Sequence, residues 1–174
     1  MRLRSARPSD LRHLAPIEES GGALFVEHLG EQRAAPLLGD PPSGFERADR
    51  PGEIVVADDE GTVVGFVHVL WLEDAEGTHA HLEQLSVLPS RGRRGIGRAL
   101  VGQAVDEARW AGHDELTLCT FRDVPWNGPF YARSGFEEVV RPTGHLAAIR
   151  EAERVLGLDE CGPRLAMRRV VTRW

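Results

Sequence analysis

Residues 81–100 read HLEQLSVLPSRGRRGIGRAL. The stretch runs as an apolar strand, a turn at Pro89-Ser90, a run of Arg and Gly, and then an amphipathic helix. Gly95 and Gly97 leave the backbone bare, so a phosphate can approach the amides that open the helix. Those amides have no intrahelical partners, and the helix dipole adds partial positive charge beside them. Arg91, Arg93, Arg94 and Arg98 add four full charges at the same place. A pyrophosphate is the ligand that suits it. The loop is neither a Walker loop, since GxxxxGKS/T is absent, nor the dinucleotide fingerprint, since Gly92, Gly95 and Gly97 do not give GxGxxG.

Working back from this stretch, Glu53–Ala57, Val63–Trp71 and His79–Leu88 read as three strands of an antiparallel meander. Asp58-Asp59-Glu60-Gly61 forms the first turn and residues 73–78 form the second. In the last strand Leu85 and Val87 alternate, but Leu82 lies three residues before Leu85. That offset is what a β-bulge produces, because one extra residue flips the faces. Further back, residues 2–6 predict a first strand, Pro8 opens a helix through Ile17, and Gly21-Gly22 ends it. A second helix is expected over about Leu24–Leu38, followed by a loop from Gly39 to Gly52 that can flank a cleft.

Working forward, Ile96, Leu100, Val101, Ala104, Val105 and Ala108 make one apolar helical stripe, which Gly112 terminates. Glu115–Phe121 alternates as a strand. Asn127 can cap a short helix, Pro129 fits its first turn, and Gly135 fits the left-handed position after its end. Phe136–Val140 resumes extended structure, Leu146–Leu158 is periodic enough for a helix, and Arg164–Val171 closes as a strand. The order is β-α-α-β-β-β-α-β-α-β-(α)-β in one domain spanning residues 1–174. The strand–helix–strand unit around the Arg/Gly turn implies one parallel pair in a mixed α/β sheet.

Leu85-Ser86-Val87 followed by Arg93-Arg94-Gly95-Ile96-Gly97-Arg98 resembles motif A of the GCN5-related N-acetyltransferases, the GNAT superfamily. That signature, Gln/Arg-x-x-Gly-x-Gly/Ala, binds the pyrophosphate of acetyl-CoA. Its Gln/Arg position falls here on Gly92, with Arg91 and Arg93 on either side. Either the loop is shifted by a residue or a neighbouring arginine serves. Asn127, Phe130, Tyr131, Gly135 and Phe136 resemble motif B, N-x-x-x-x-Y-x-x-x-G-F with small spacing variations. The resemblance implies a central, mostly antiparallel sheet of six to seven strands flanked by helices. A helical insertion between the last two strands departs from the family's usual hairpin. It also implies acetyl-CoA as co-substrate, with Asn127 on the pantetheine arm and Tyr131 near the thioester sulfur.

The implied reaction is direct attack of an amine on the thioester. A lysine-like amine, with pKa ~10.4, is almost wholly protonated at neutral pH, so a base must take a proton. Glu83, on the strand leading to the phosphate turn, is the preferred base, directly or through a water; His68 and His81 are alternatives. A bulge amide near Val87 can donate to the oxyanion. The leaving thiolate, pKa ~8.5, is a modest base, and the Tyr131 phenol can protonate it. Trp71, Phe121 and Trp126 read as core or cleft wall, and His145 with the charges of residues 150–154 as a solvated helix face.

His79 and His81 form an HxH pair with no third ligand spaced nearby, so no metal is expected. Cys119 and Cys161 make no disulfide framework. With 41% hydrophobic and 28% charged residues the chain reads as an ordinary globular protein. No apolar run approaches the ~20 residues that span a bilayer, and residues 1–10 lack the apolar core of a signal peptide. A cytoplasmic protein that binds no membrane is therefore expected. A formal net charge of −6 argues against nucleic acid as partner and mildly favours a cationic small molecule. The acceptor is otherwise open between a small-molecule amine and a peptide amine, and a homodimer is open through the family. An acyl-CoA-binding regulatory or sensor module without turnover is the alternative function. An interaction protein on the same scaffold is the third.

Overall fold

The computed structural model describes residues 1–171. Among these residues one seven-stranded sheet forms, in the order β1-β2-β3-β4-β5-β7-β6. Its strands are β1 (Arg2–Ser5), β2 (Gly52–Asp59), β3 (Thr62–Asp74), β4 (Gly77–Val87), β5 (Glu115–Phe121), β6 (Glu137–Glu138) and β7 (Arg164–Val170). Every pairing is antiparallel except β4 with β5. This is the mixed, mostly antiparallel α/β architecture that the resemblance implies.

Helices cover both faces, which is why β2 and β3 are continuous apolar runs rather than alternating ones. On one face α5 (Ile96–Trp110) lays its stripe of Leu100, Val101, Ala104 and Val105 over Val55, Val67, Leu82 and Leu116. On the other face α1 (Leu14–Glu19) and the 3-10 turn Leu11–His13 pack Leu11, Leu14 and Ile17 over Ile54, Val56 and Phe66.

The expected bulge is present. His68 pairs with Gln84 but Val69 pairs with Leu82, so Glu83 is the extra residue. The elements of the phosphate unit also fall where the sequence places them, α5 from Ile96 and β5 over Glu115–Phe121.

Three expectations on the other face need correction. Pro8 does not open the first helix. Asp10 instead ties residues 7–10 into a turn, its carboxylate accepting from the Arg7 amide at 2.7 Å and from Arg4, so the helix starts at Leu14. The long second helix is broken into α2 (Gly22–Leu29) and α3 (Glu31–Ala34) at Gly30, which has φ +83°. The loop of residues 39–52 contains a helix, α4 (Gly44–Ala48), opened by a capping box: the Ser43 hydroxyl accepts from the Glu46 amide and the Glu46 carboxylate from the Ser43 amide.

Past β5 come α6 (Gly128–Arg133), α7 (Gly144–Val155) and α8 (Leu158–Cys161). The extended run expected over Phe136–Val140 shortens to the two residues of β6. The charges of residues 150–154 are more than a solvated face: Arg150 pairs with Glu153 and Asp159, and Glu153 also pairs with Arg164 of β7. No helix among the described residues is long and apolar enough to cross a membrane.

Candidate active site

Parallel pairing between β4 and β5 is limited to Ala80 with Leu116 and His81 with Thr117. β4 then continues to Val87 and β5 to Phe121 with no further ladder between them. On its β5 side, the backbone of residues 82–87 faces a gap. Such polar groups need partners when buried, so the gap is a ready docking strip for a ligand with amides of its own.

At the end of β4 the chain passes through a 3-10 turn, Pro89–Arg91, into the loop that opens α5. Arg93 takes a left-handed conformation at φ +57° and Gly95 does so at φ +80°. Gly95 is the N-cap of α5, and no side chain caps the first turn. The amides of Ile96, Gly97 and Arg98 are therefore open to an anion. Arg91 is engaged by Asp59 at 2.8 Å. Arg93, Arg94 and Arg98 form no ion pair among the described residues, which leaves them as the cations able to meet phosphate.

Gly97 and motif B meet directly. A Cβ built on Gly97 would lie 3.6 Å from the Phe130 ring and 4.0 Å from Leu85. That contact seats α6 against the start of α5, beside the parted strands. Tyr131 is 8% exposed and packs edge-on against Phe130 and Phe136. Burial pushes its phenol pKa up, so it stays protonated at any working pH. The Asn127 side chain does not cap α6 as its spacing suggests. Its Oδ1 instead accepts from the Thr120 hydroxyl at 2.8 Å, which fixes its amide group relative to β5.

The opposite face holds the charged cluster. Glu83 Oε2 accepts from Arg47 at 2.5 Å and from His68 Nδ1 at 2.9 Å; Oε1 accepts from Arg50 at 2.5 Å. Arg47 is 2% exposed and also binds Glu18 at 2.5 Å. A carboxylate only accepts, so His68 carries its proton on Nδ1. Its Nε2 and the Arg47 Nε are buried without a partner among the described residues. Burial pushes the Glu83 pKa up, but the hydrogen bond from His68 and the charges of Arg47, His68 and Arg50 outweigh it and hold the carboxyl at about 2. Glu18, with burial as the larger influence, is pushed up.

His81 is buried on β4, and burial, then the neighbouring His145, pushes its pKa down to about 3. Its Nδ1 bonds the Thr117 hydroxyl at 3.0 Å. His68 and Glu83 thus touch each other, whereas His81 belongs to a separate network. Trp71 stacks on His113, Phe121 packs with Phe25, and Trp126 meets Phe25 and His28 edge-on.

Glu18, Arg47 and Arg50 escaped the sequence reading. The signal for α4 was there, Ser43-x-x-Glu46, a capping box inside a stretch otherwise read as loop. Nothing local marks Glu18 or Arg50.

The chain matches the Acetyltransferase (GNAT) family over residues 23–136. Among solved structures it is similar to a PaiA N-acetyltransferase from Thermoplasma acidophilum in complex with coenzyme A. The TM-score is 0.69 at 16% identity, covering 97% of this chain and 98% of that one. It is also similar to Rv2747 from Mycobacterium tuberculosis in complex with CoA and NLQ, with TM-score 0.66 and 20% identity over 99% and 100% of the two chains. N-acetylglutamate synthase from Neisseria gonorrhoeae, complexed with coenzyme A and N-acetyl-glutamate, matches 99% of this chain with TM-score 0.68 and 17% identity. This chain spans only 35% of that longer one.

Proposed function

This chain belongs to the acetyltransferase (GNAT) family, and from that premise we propose that it moves the acetyl group of acetyl-CoA directly to a primary amine of a small-molecule or peptide acceptor. The observation that carries the reading is the parting of β4 and β5 beside the Arg/Gly opening of α5. Pyrophosphate suits the free amides of residues 96–98 together with Arg93, Arg94 and Arg98, which have no ion-pair partner among the described residues. The pantetheine amides suit the unpaired edge of residues 82–87, where they add a short pseudo-strand. Asn127 then lies along the same arm and Tyr131 near the sulfur. Coenzyme A in the complexes of three structural relatives supports the same donor.

The amine attacks the thioester carbonyl, the C–N bond forms, and collapse of the tetrahedral intermediate breaks the C–S bond. A backbone amide at the end of β4, near Val87, stabilises the oxyanion. The Tyr131 hydroxyl has no hydrogen-bond partner among the described residues, and it donates its proton to the departing thiolate. Glu83 takes the ammonium proton through a water. At a pKa of about 2 it is a weak base while Arg47, Arg50 and the His68 N–H all hold it. Arg50 is the exposed member of the set, with 46% of its side chain in solvent. An acceptor that displaces Arg50 from Oε1 raises the basicity of Glu83 as it binds.

A thermal-shift titration with acetyl-CoA, CoA and succinyl-CoA tests the donor. A ligand at 100 times its Kd adds about 2.7 kcal/mol, or roughly 5–10 °C for a chain of this size. No shift with any thioester overturns the reading. A shift without thiol release across an amine panel favours the alternative of an acyl-CoA sensor without turnover.

A further inference from the structure

At the far end of β4 from the phosphate loop, Asp74, His79 and His145 come together from three elements: the end of β3, the start of β4 and the first turn of α7. One ligand atom from each lies within 4.8 Å of the other two. His79 and His145 stack at 4.1 Å between ring centroids, and His79 Nε2 bonds Asp74 Oδ1 at 2.9 Å. We propose that these three side chains form a binding site for a divalent transition-metal ion of the zinc type, which clamps α7 to the β3–β4 hairpin.

His79 donates its Nε2 proton to Asp74 Oδ1 and would release it as the ion binds, whereas His145 is already in a ligating tautomer. The Thr117 hydroxyl donates its one proton to the Ala80 carbonyl at 3.0 Å. Its contacts with His81 Nδ1 at 3.0 Å and His145 Nε2 at 3.1 Å must then be ones in which the rings donate. His145 therefore carries its proton on Nε2 and keeps its lone pair on Nδ1. A ring nitrogen whose partner N–H is tied to an oriented acceptor is how metal-binding histidines are held. Thr117 is such an acceptor.

Asp74 Oδ2 is buried and makes no well-formed hydrogen bond among the described residues; only the His145 backbone amide lies beside this carboxylate, which leaves accepting capacity that a cation can satisfy. The approach of His145 depends on Gly144. Its φ is +53°, and a Cβ there would lie 3.3 Å from Asp74 Oδ2. His79 and Thr117 also line a cavity of about 240 Å3, so open space reaches one side of the cluster.

Two imidazoles and one carboxylate suit zinc, cobalt or nickel rather than calcium or magnesium, and they leave positions for water. Sequence spacing hid the site because the third ligand, His145, lies 66 residues beyond His79. Four residues along β4 separate His79 from Glu83, roughly 13 Å. The ion is therefore structural, and the proposed transfer proceeds without it.

The test is calorimetry of the tag-free, chelator-treated protein with zinc chloride, repeated with cobalt chloride while its visible spectrum is recorded. One ion per chain is expected, with a rise in Tm. His145→Asn and Asp74→Asn should each weaken binding at least tenfold, and Thr117→Val about tenfold through the lost orientation of His145. Each variant is first shown to melt cooperatively and to keep its acetyl-CoA thermal shift, so that unfolding is not mistaken for ligand loss. No binding of either ion to the parent protein, or equal affinity in the Asn variants, overturns the proposal.

Discussion

Arg47 neutralises two carboxylates from a position with almost no contact with water, so its loss does more than remove one ion pair. Glu18 and Glu83 would be left facing each other, and breaking a buried pair costs about 3–5 kcal/mol. Both carboxylates keep roughly a quarter of their surface in water, which puts Arg47→Ala near the lower end, about 3 kcal/mol by chemical denaturation. Glu83→Gln probes the same network by pH. The folded-state pKa of Glu83, about 2, lies below its ordinary 4.5. Its contribution is therefore complete above pH 4.5 and fades as pH falls toward 2. The parent should be the more stable at pH 6, with the gap to Glu83→Gln closing below pH 4.5. The opposite trend of Glu18 is present in both proteins and is lessened in the variant, where the Glu83 charge no longer pushes the Glu18 carboxyl up. Arg50→Ala removes one cation, so the Glu83 pKa rises and the acid limb of the kcat/KM profile should move to higher pH. An unmoved limb would separate Glu83 from the rate-limiting proton transfer. At this scale Glu83 was singled out by its place on the strand leading to the phosphate turn, and the Leu82–Leu85 offset separately marked the bulge in which it lies. Its cationic partners were not, since Arg47 and Arg50 lie 36 and 33 residues away in sequence.

Two helices position the site, and the residues that open each of them decide how well they do so. Ser43 opens α4, five residues long and too short to stand without its cap and packing. Ser43→Ala should cost about 1 kcal/mol, and because α4 carries Arg47 it should also raise the acceptor KM; a steady-state assay beside a melting curve reads both. At α5 the two glycines separate by role. Gly95 sits at φ +80° with open space around it, so Gly95→Ala is a purely conformational penalty of about 1–2 kcal/mol. Gly97 is helical, and a methyl there would make only ordinary contacts with Phe130. Gly97→Ala should therefore stabilise the ligand-free protein by up to ~1 kcal/mol while weakening CoA binding through lost access to the amides. Elements with a full helical or alternating period were readable, as α5 and β5 show. α4 was not, because five residues hold too little period to outweigh the prolines and glycines around them. The long helix expected over residues 24–38 failed for the converse reason, since Gly30 and Pro36 interrupt a pattern whose apolar spacing continues through them.

Over the whole molecule, charge is arranged against its own average. The chain carries a formal net charge of −6, yet Arg93, Arg94 and Arg98, around the start of α5, form no ion pair among the described residues. A polyanionic donor such as coenzyme A is thus repelled weakly at long range and attracted strongly within a few ångströms. Salt distinguishes the two, since the Debye length shortens from about 30 Å at 0.01 M to about 3 Å at 1 M. Repulsion from the distant acidic surface is screened first, and close attraction between phosphate and these exposed arginines only later. The Kd for CoA should therefore change little, or fall slightly, between 0.01 M and 0.1 M salt, and rise clearly toward 1 M. In an Arg93→Ala/Arg94→Ala variant the high-salt rise should flatten while the low-salt affinity drops. A pantetheine thioester lacking the nucleotide should bind weakly with no salt dependence, because its amides meet the edge of β4 by hydrogen bonds alone. Isothermal titration of the three combinations across salt gives the answer. Equal salt slopes in parent and variant would place the phosphates elsewhere than at the opening of α5.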